Sequence, residues 1–208
     1  MKRAILIGAA PTPPGWLKRN LKALKVDVSR DIIIGVDGGA NACIKAGVMP
    51  TLAIGDWDSG TPPARLRKIT LQRDKDCSDL AFSIGYARLA GASEMIALAV
   101  TGARPDHHLA ALFELSQSRV RTRALGPEAD YYFLSKLVRS WRLVSKRKSS
   151  IISVFALGGV AKGVTLTGMR YPLKRAVVKD SSIGLSNVMV RSSCKVEIED
   201  GRMVAIVP

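Results

Sequence analysis

Apolar positions in the first 125 residues fall into short runs: Ala4 to Ile7, Ile32 to Val36, Leu52 to Ile54, Met95 to Val100 and Val120 to Leu125. Runs of this length with little or no polar face suit strands that are covered on both sides. Between them Gly15 to Leu24, Ala40 to Ala46, Ser78 to Ala90 and Leu109 to Ser116 read as helices, with Ser78 placed to cap the third and Gly91 to stop it. Strands alternating with helices predict an α/β fold built on a parallel sheet. From about Tyr131 the pattern changes to short β-branched runs broken by Gly and Pro: Ile151 to Ala156, Gly163 to Leu166, Val188 to Val190, Lys195 to Ile198 and Met203 to Val207. These predict a smaller antiparallel β domain, with Asp200-Gly201 as a hairpin turn before the last strand. The expected division is an α/β domain over residues 1–128 and a β domain over 129–208.

With 47% hydrophobic residues in a chain of 208, a substantial core is expected. No apolar run approaches the roughly 20 residues that cross a bilayer, so no membrane association is expected. Met1-Lys2-Arg3 followed by Ala4 to Ile7 has a faint likeness to a secretory signal, but the run stops at Gly8 and prolines follow, so a first buried strand is the better reading. Cys43, Cys77 and Cys194 are widely spaced, with no C-x-x-C pair. They suggest neither a disulfide framework nor a thiolate zinc site, and fit reduced thiols in a cytoplasmic protein. His107 and His108 are adjacent, so they point in different directions and cannot serve as a zincin-like pair.

A formal charge of +15 favours partners that carry phosphate. The densest basic run is Lys136, Arg139, Arg142, Lys146, Arg147 and Lys148, with Trp141 inside it. It reads either as a phosphate-tracking patch with a stacking aromatic or as a solvated basic connection or edge strand. No helix-turn-helix, finger or RNP-type motif accompanies it, so the second reading is preferred and nucleic acid is not the expected partner.

Two of the strands end on acids, Asp37 after Val36 and Asp56 after Ile54-Gly55, where open parallel sheets bind ligands. In Gly55-Asp56-Trp57-Asp58-Ser59, an extended chain would project Asp56 and Asp58 from one face. Such hard oxygen ligands suit Mg2+ shared with the phosphates of a nucleotide; the plainer reading is an acidic turn capped by Asp58. Asp74-Lys75-Asp76-Cys77-Ser78-Asp79 lies at the start of the third helix. Its acids can be caps and first-turn charges, but several carboxylates beside another acidic loop repel without a cation. Lys75 can neutralise one of them or reach a phosphate. In Gly102-Ala103-Arg104-Pro105-Asp106-His107-His108, the glycine allows close backbone approach and Arg104 offers a fork for phosphate oxygens, while on the plainer reading Pro105-Asp106 is a helix start. Asp37-Gly38-Gly39-Ala40-Asn41 leads into a helix N-terminus suited to anions, and there is no P-loop signature.

Taken in order, Val36 to Asn41, Gly55 to Ser59, Lys75 to Leu80 and Gly102 to His107 resemble the ordered motifs of thiamine pyrophosphokinases. Gly163 to Leu173 and Gly184-Leu185-Ser186-Asn187 resemble that family's second-domain motifs, so the likeness spans nearly the whole chain. The resemblance implies a Rossmann-like parallel-sheet domain followed by an antiparallel β-sandwich. It implies transfer of the β,γ-diphosphate of ATP to the hydroxyl of thiamine, by a homodimer that holds thiamine between subunits. It further implies Mg2+ held by Asp56, Asp58 and Asp79, with Asp37, Gly38, Asn41, Lys75 and Asp106 in the nucleotide pocket. Asp56, Asp58, Asp76, Asp79 and Arg104 would serve catalysis, and Tyr171, Ser186 and Asn187 would contact the pyrimidine of thiamine. Ala103 stands where the family usually has a second glycine, Ala111 where it often has asparagine, Trp57 for a commoner phenylalanine and Tyr171 for a frequent tryptophan. Two other readings are a diphosphokinase for another hydroxymethyl heterocycle such as a pterin, and a non-catalytic basic nucleotide- or RNA-binding protein of the same fold.

Overall fold

The runs Ile32 to Val36 and Leu52 to Gly55 are buried at every position, as strands without a polar face must be. A computed structural model describes residues 2–58, 61–102, 104–144, 150–179 and 181–208. Ser59, Ala103 and the basic residues Lys146, Arg147 and Lys148 lie outside the described residues. The chain divides into two compact units: one runs to Val120 and takes in Ala124–Pro127, and the other holds Arg121–Arg123 and Glu128–Pro208.

The first unit contains β1 (Lys2–Ile7), α1 (Trp16–Ala23), β2 (Ile32–Val36), α2 (Gly39–Lys45), β3 (Leu52–Gly55), β4 (Lys68–Thr70), α3 (Asp79–Leu89), β5 (Ala92–Leu98) and α4 (Pro105–Ser116). The division passes through β6 (Arg121–Leu125). The strand order is β6-β5-β1-β2-β3-β4, and the pairs from β5 to β4 are parallel. Ile5 and Ile7 of β1, with Ile96 and Leu98 of β5, pack against Leu17 and Leu21 of α1 and Cys43 of α2. Side chains alternate along a strand, so the intervening residues face the opposite layer, where α3 packs on β1, β2, β3 and β5. Ile5, Leu6, Ile33, Ile34 and Ile54 are fully buried, and each such side chain contributes about 1.5–3 kcal/mol.

Three boundaries differ from the sequence pattern. β5 stops at Leu98 rather than Val100, because Ala99 turns into the left-handed region at φ 54°. α4 starts at Pro105, where Pro105-Asp106 offers a helix start, four residues before the periodic run from Leu109. Proline is preorganised for a first helical position, and that exposed polar turn gave no periodicity to read. The three-residue β4, half polar and largely exposed, has no hydrophobic signature at all.

The second unit contains β7 (Asp130–Ser135), β8 (Ser140–Val144), β9 (Ile151–Ala156), β10 (Ala161–Thr167), β11 (Leu173–Val178), β12 (Asn187–Val188), β13 (Ser193–Glu197) and β14 (Arg202–Val207). Its antiparallel strands form two layers, β12-β9-β14-β7 and β11-β10-β13-β8. Both layers contribute to one core that includes Leu134, Ile152, Val154, Val164, Leu166, Val196 and Met203. The expected β-sandwich is therefore present. The hairpin expected at Asp200-Gly201 is not, because β13 and β14 belong to different layers. Gly201, at φ 91°, turns the chain from one layer to the other; an Asp-Gly pair specifies the backbone turn and not whether the flanking strands pair. Within the basic run, β8 is an edge strand. Trp141 is buried, its Nε1 donates to the Phe133 carbonyl at 2.9 Å, and the Arg121 guanidinium carbon lies 3.5 Å from its ring centroid. The indole is a core group of the sandwich and offers no stacking platform. Among the described residues no helix is long and apolar enough to cross a membrane.

Candidate active site

Parallel pairing brings the carboxyl ends of β1, β2, β3 and β5 to one rim, and the register sets the details. Val36 pairs with Ile54, so Asp37 lies beside Gly55 and Asp56, and its N–H donates to the Ile54 carbonyl at 2.7 Å. Asp56 and Asp58 do not share a face of an extended strand as expected. β3 ends at Gly55, and Trp57 adopts φ 60°. Its Nε1 anchors the turn on Thr70 Oγ1 at 3.0 Å, and the Asp58 N–H donates to Asp56 Oδ1 at 3.2 Å. The two carboxylates converge all the same, by a left-handed turn instead of strand alternation. Asp37, Asp56 and Asp58 each offer an oxygen within 4.8 Å of the other two. Gly55 makes this possible: a Cβ there would lie 2.8 Å from Asp37 Cα and 3.0 Å from its Oδ1. Asp37, at φ 46°, and Trp57 hold conformations that cost non-glycine residues about 1–2 kcal/mol. Strain of this kind persists where the surroundings over-determine it, commonly at functional sites.

Lys75 ties the acidic rim to α3. Its Nζ lies 2.5 Å from Asp56 Oδ2 and 3.1 Å from Asp79 Oδ1. The hydrogen bond from Lys75 holds the Asp56 carboxyl below the ordinary carboxylate range, and the same bond raises the lysine. Asp79 goes the other way: burial raises it against the pull of Lys75, with the charges of Asp56 and Asp37 acting in the same direction as burial. Ser78 caps α3 as expected, accepting from the Ala81 N–H at 3.0 Å, and its hydroxyl donates to Glu114 Oε2 of α4 at 2.8 Å. Arg104 binds Asp106 at 2.5 Å and holds that carboxyl at about 2.

A cavity of about 620 Å³ opens at this rim. Asp37, Asp56, Asp58, Lys75, Asp79 and Arg104 all line it. Gly38, Asn41, Asp76 and Asp106 are not in its walls. Gly38 is the N-cap of α2, the Asn41 side chain donates to the Thr61 carbonyl at 3.1 Å, and Asp76 is exposed. The cavity is also lined by His107 of the Gly102 to His107 motif and by residues the motifs did not single out: Gly8 to Pro11 after β1, Arg73 and Glu114. The loop after β1 carried a legible signal, since it too follows the carboxyl end of a buried strand. Arg73 and Glu114 carried none, because only the packing of a loop and of α4 turns them inward.

The donor set fits a hard divalent cation: three carboxylates converge, and Asp37 Oδ1 is buried with no hydrogen-bond partner among the described residues. Asp79 stands next to this group, bound to it through Lys75.

In the second unit Tyr171 and Ser186 are exposed, Tyr171 at 64%. Asn187 between them in space is only 3% exposed. Its Oδ1 accepts from the N–H groups of Tyr171 at 3.0 Å and Val188 at 2.9 Å, and its Nδ2 donates to the Tyr171 carbonyl at 2.7 Å.

Comparison with known proteins adds sequence and fold relationships to this geometry. The family model described as thiamin pyrophosphokinase, catalytic domain, matches residues 25–124, and the one described as thiamin pyrophosphokinase, vitamin B1 binding domain, matches residues 142–203. A thiamine pyrophosphokinase of Bacillus subtilis is 25% identical over 185 residues, covering 83% of this chain and 85% of that protein. Among solved structures, thiamine pyrophosphokinase from Bacillus subtilis superposes with a TM-score of 0.80 at 22% identity, covering all of this chain and 98% of that one. Thiamin pyrophosphokinase from Candida albicans gives a TM-score of 0.72 at 16% identity, covering 99% of this chain and 88% of that one. These structural likenesses concern the fold.

Proposed function

Because this chain belongs to the thiamin pyrophosphokinase family, matching both of its domain models in order, we propose that it transfers the β,γ-diphosphate of ATP to the hydroxyl of thiamine, releasing AMP. The observation that carries this reading to particular residues is the convergence of Asp37, Asp56 and Asp58 within 4.8 Å at the rim of a cavity also lined by Lys75 and Arg104. In the reaction the thiamine hydroxyl oxygen bonds to the β-phosphorus and gives up its proton to a cavity carboxylate or to water, the bond from that phosphorus to the α–β bridging oxygen breaks, and the electron pair leaves with AMP. Such transfers depend chiefly on positioning and charge neutralisation.

Asp37, Asp56 and Asp58 would hold Mg2+, with Asp79 adjacent. When bound, the ion neutralises phosphate oxygens that would otherwise repel both the nucleophile and the carboxylates. Lys75, already fixed between Asp56 and Asp79, and Arg104 supply further positive charge to the triphosphate. Asp76 lies just before α3 and Asp79 begins it, but only Asp79 faces the cavity, so Asp79 takes the role of orienting the acceptor hydroxyl. Gly38 and Asn41 shape the entry to α2, and Asp106 orients Arg104. On this reading residues 1–128 serve nucleotide and metal, and residues 129–208 serve thiamine, with Tyr171 and Ser186 exposed to meet it and Asn187 buried and bonded to the Tyr171 backbone. A homodimer and a cytoplasmic location belong to the same proposal, the latter resting on free Cys43, Cys77 and Cys194.

The test is to incubate the purified protein with Mg-ATP and thiamine and assay AMP and thiamine diphosphate together. Both products should appear in equal amounts. Neither product, with Mg2+ or Mn2+ and over a range of pH, would sink the reading. Light scattering of the active species tests the dimer, and an active monomer counts against it.

A further inference from the structure

The segment from Gly168 to Tyr171 runs beside the segment from Asn187 to Val190, and the backbone joins them only in part. Arg170 N–H donates to the Val188 carbonyl at 2.8 Å, Val190 N–H donates to the Gly168 carbonyl at 3.0 Å, and Met169 bridges Met189. At Tyr171 this ladder ends: among the described residues its N–H and carbonyl meet no main-chain partner. The side chain of Asn187 supplies one. A carboxamide has the same donor and acceptor as a peptide unit. Asn187 accepts from Tyr171 N–H at 3.0 Å and donates to Tyr171 C=O at 2.7 Å, as a strand residue would. Its oxygen also accepts from Val188 N–H at 2.9 Å, which uses both acceptor positions. The group is 3% exposed, so it has little surface to offer a ligand.

On the other side of Asn187, Ser186 is held at φ 54°, with its N–H on Ser153 Oγ at 3.0 Å. Tyr171 and Ser186 are both exposed, and the buried amide stands between the two backbones that carry them.

We propose that Asn187 is a positioning residue that sets where Tyr171 and Ser186 stand for the acceptor, and that it does not contact the acceptor itself. This rests on the reading of Tyr171 and Ser186 as thiamine contacts. Loss of the amide leaves three main-chain groups without partners and frees Tyr171 to move. Asn187→Asp is expected to act like Asn187→Ala, since it keeps the acceptor but sets an oxygen against the Tyr171 carbonyl.

Two measurements decide it. In the wild-type protein without ligands, hydrogen exchange by NMR should show protected amides at Tyr171 and Val188; exchange of Tyr171 at the rate of an open loop would overturn the proposal. In steady-state kinetics, Asn187→Ala should raise the KM for thiamine about tenfold while the KM for Mg-ATP moves less than about twofold. On a background of Tyr171→Ala with Ser186→Ala the same change should add little, because both groups through which Asn187 acts are then gone. Full additivity of the two penalties would show that Asn187 meets thiamine independently and would refute the positioning role. If the alanine variant does not fold, Asn187→Asp is used in the same cycle. A wild type with no activity defeats the proposed function, whereas the exchange measurement still tests the Asn187 geometry.

Discussion

Replacing Lys75 with methionine keeps most of the stem and removes the one charge that, among the described residues, touches both Asp56 and Asp79. At an effective dielectric constant near 20, each of these contacts is worth on the order of 5 kcal/mol before desolvation. Removing three charged groups from water cancels most of that. The side chains expose 12–17% of their surface, yet they face a solvent-filled cavity, so the net value lies between the roughly 1 kcal/mol of an exposed pair and the 3–5 of a fully buried one. A loss of about 2 kcal/mol follows, or about 4–8 °C in Tm for a chain of this size. That deficit belongs to the metal-free protein, where Lys75 is the cation that keeps the acids together. In saturating Mg2+ a bound ion takes over much of the neutralisation, and the deficit should shrink by at least half. Differential scanning calorimetry of wild type and Lys75→Met, in chelator and in Mg2+, measures both quantities. An equal Tm loss in the two conditions, or a variant more stable than wild type in chelator, would refute the view that Lys75 and a metal answer to the same carboxylates.

Asp37→Asn, Asp56→Asn and Asp58→Asn should each lower turnover by about a hundredfold or more; the Asp37 and Asp58 variants should do so without lowering the metal-free Tm, since each removes one member of a repelling set, whereas Asp56→Asn also loses its ion pair with Lys75 and should lower it; near-normal rates would take that residue out of the metal site. Gly55→Ala should weaken Mn2+ binding, read by titration calorimetry, by about tenfold, because the new methyl displaces Asp37. Asp106 is depressed to about 2 by Arg104, so its stabilising contribution is present above the unfolded value near 3.8 and is lost as pH falls toward 2. Urea denaturation of wild type and Asp106→Asn should accordingly differ by a constant amount above about pH 5, with the difference shrinking below about pH 4 and vanishing only as pH nears 2. Burial pushes the Cys43 thiol up to about 12 and Cys194 up to about 11, whereas Cys77 is exposed and lines the cavity. One thiol should therefore react quickly with a disulfide reagent in the native protein, and Mg-ATP should slow it; fast labelling of Cys43 would contradict the described core.

Much of the first unit is legible because its signals are local. A strand buried on both faces must be apolar throughout, which located Ile32 to Val36 without ambiguity, and the break at Gly91 follows from the φ of 87° that only glycine takes up easily. The acids at the strand ends were legible for a similar reason, as a charge cannot continue a buried run. β4 was missed because three exposed residues carry no pattern. β8 was missed because Arg142 interrupts the apolar pattern of an edge strand, where solvent tolerates charge.

The sequence by itself determined the two textures, the acidic strand ends and the family to which the chain belongs, because each depends on residue type and spacing alone. Only the tertiary structure decided that Asp37 stands with Asp56 and Asp58, that Lys75 bridges to Asp79, and that the Asn187 amide lies against Tyr171. Those outcomes depend on the register Val36 with Ile54, on the left-handed turn at Trp57 and on a side chain completing a backbone ladder. Each joins residues distant in the chain, and the free energy of such pairings is set by packing over the whole unit and by no single stretch of sequence.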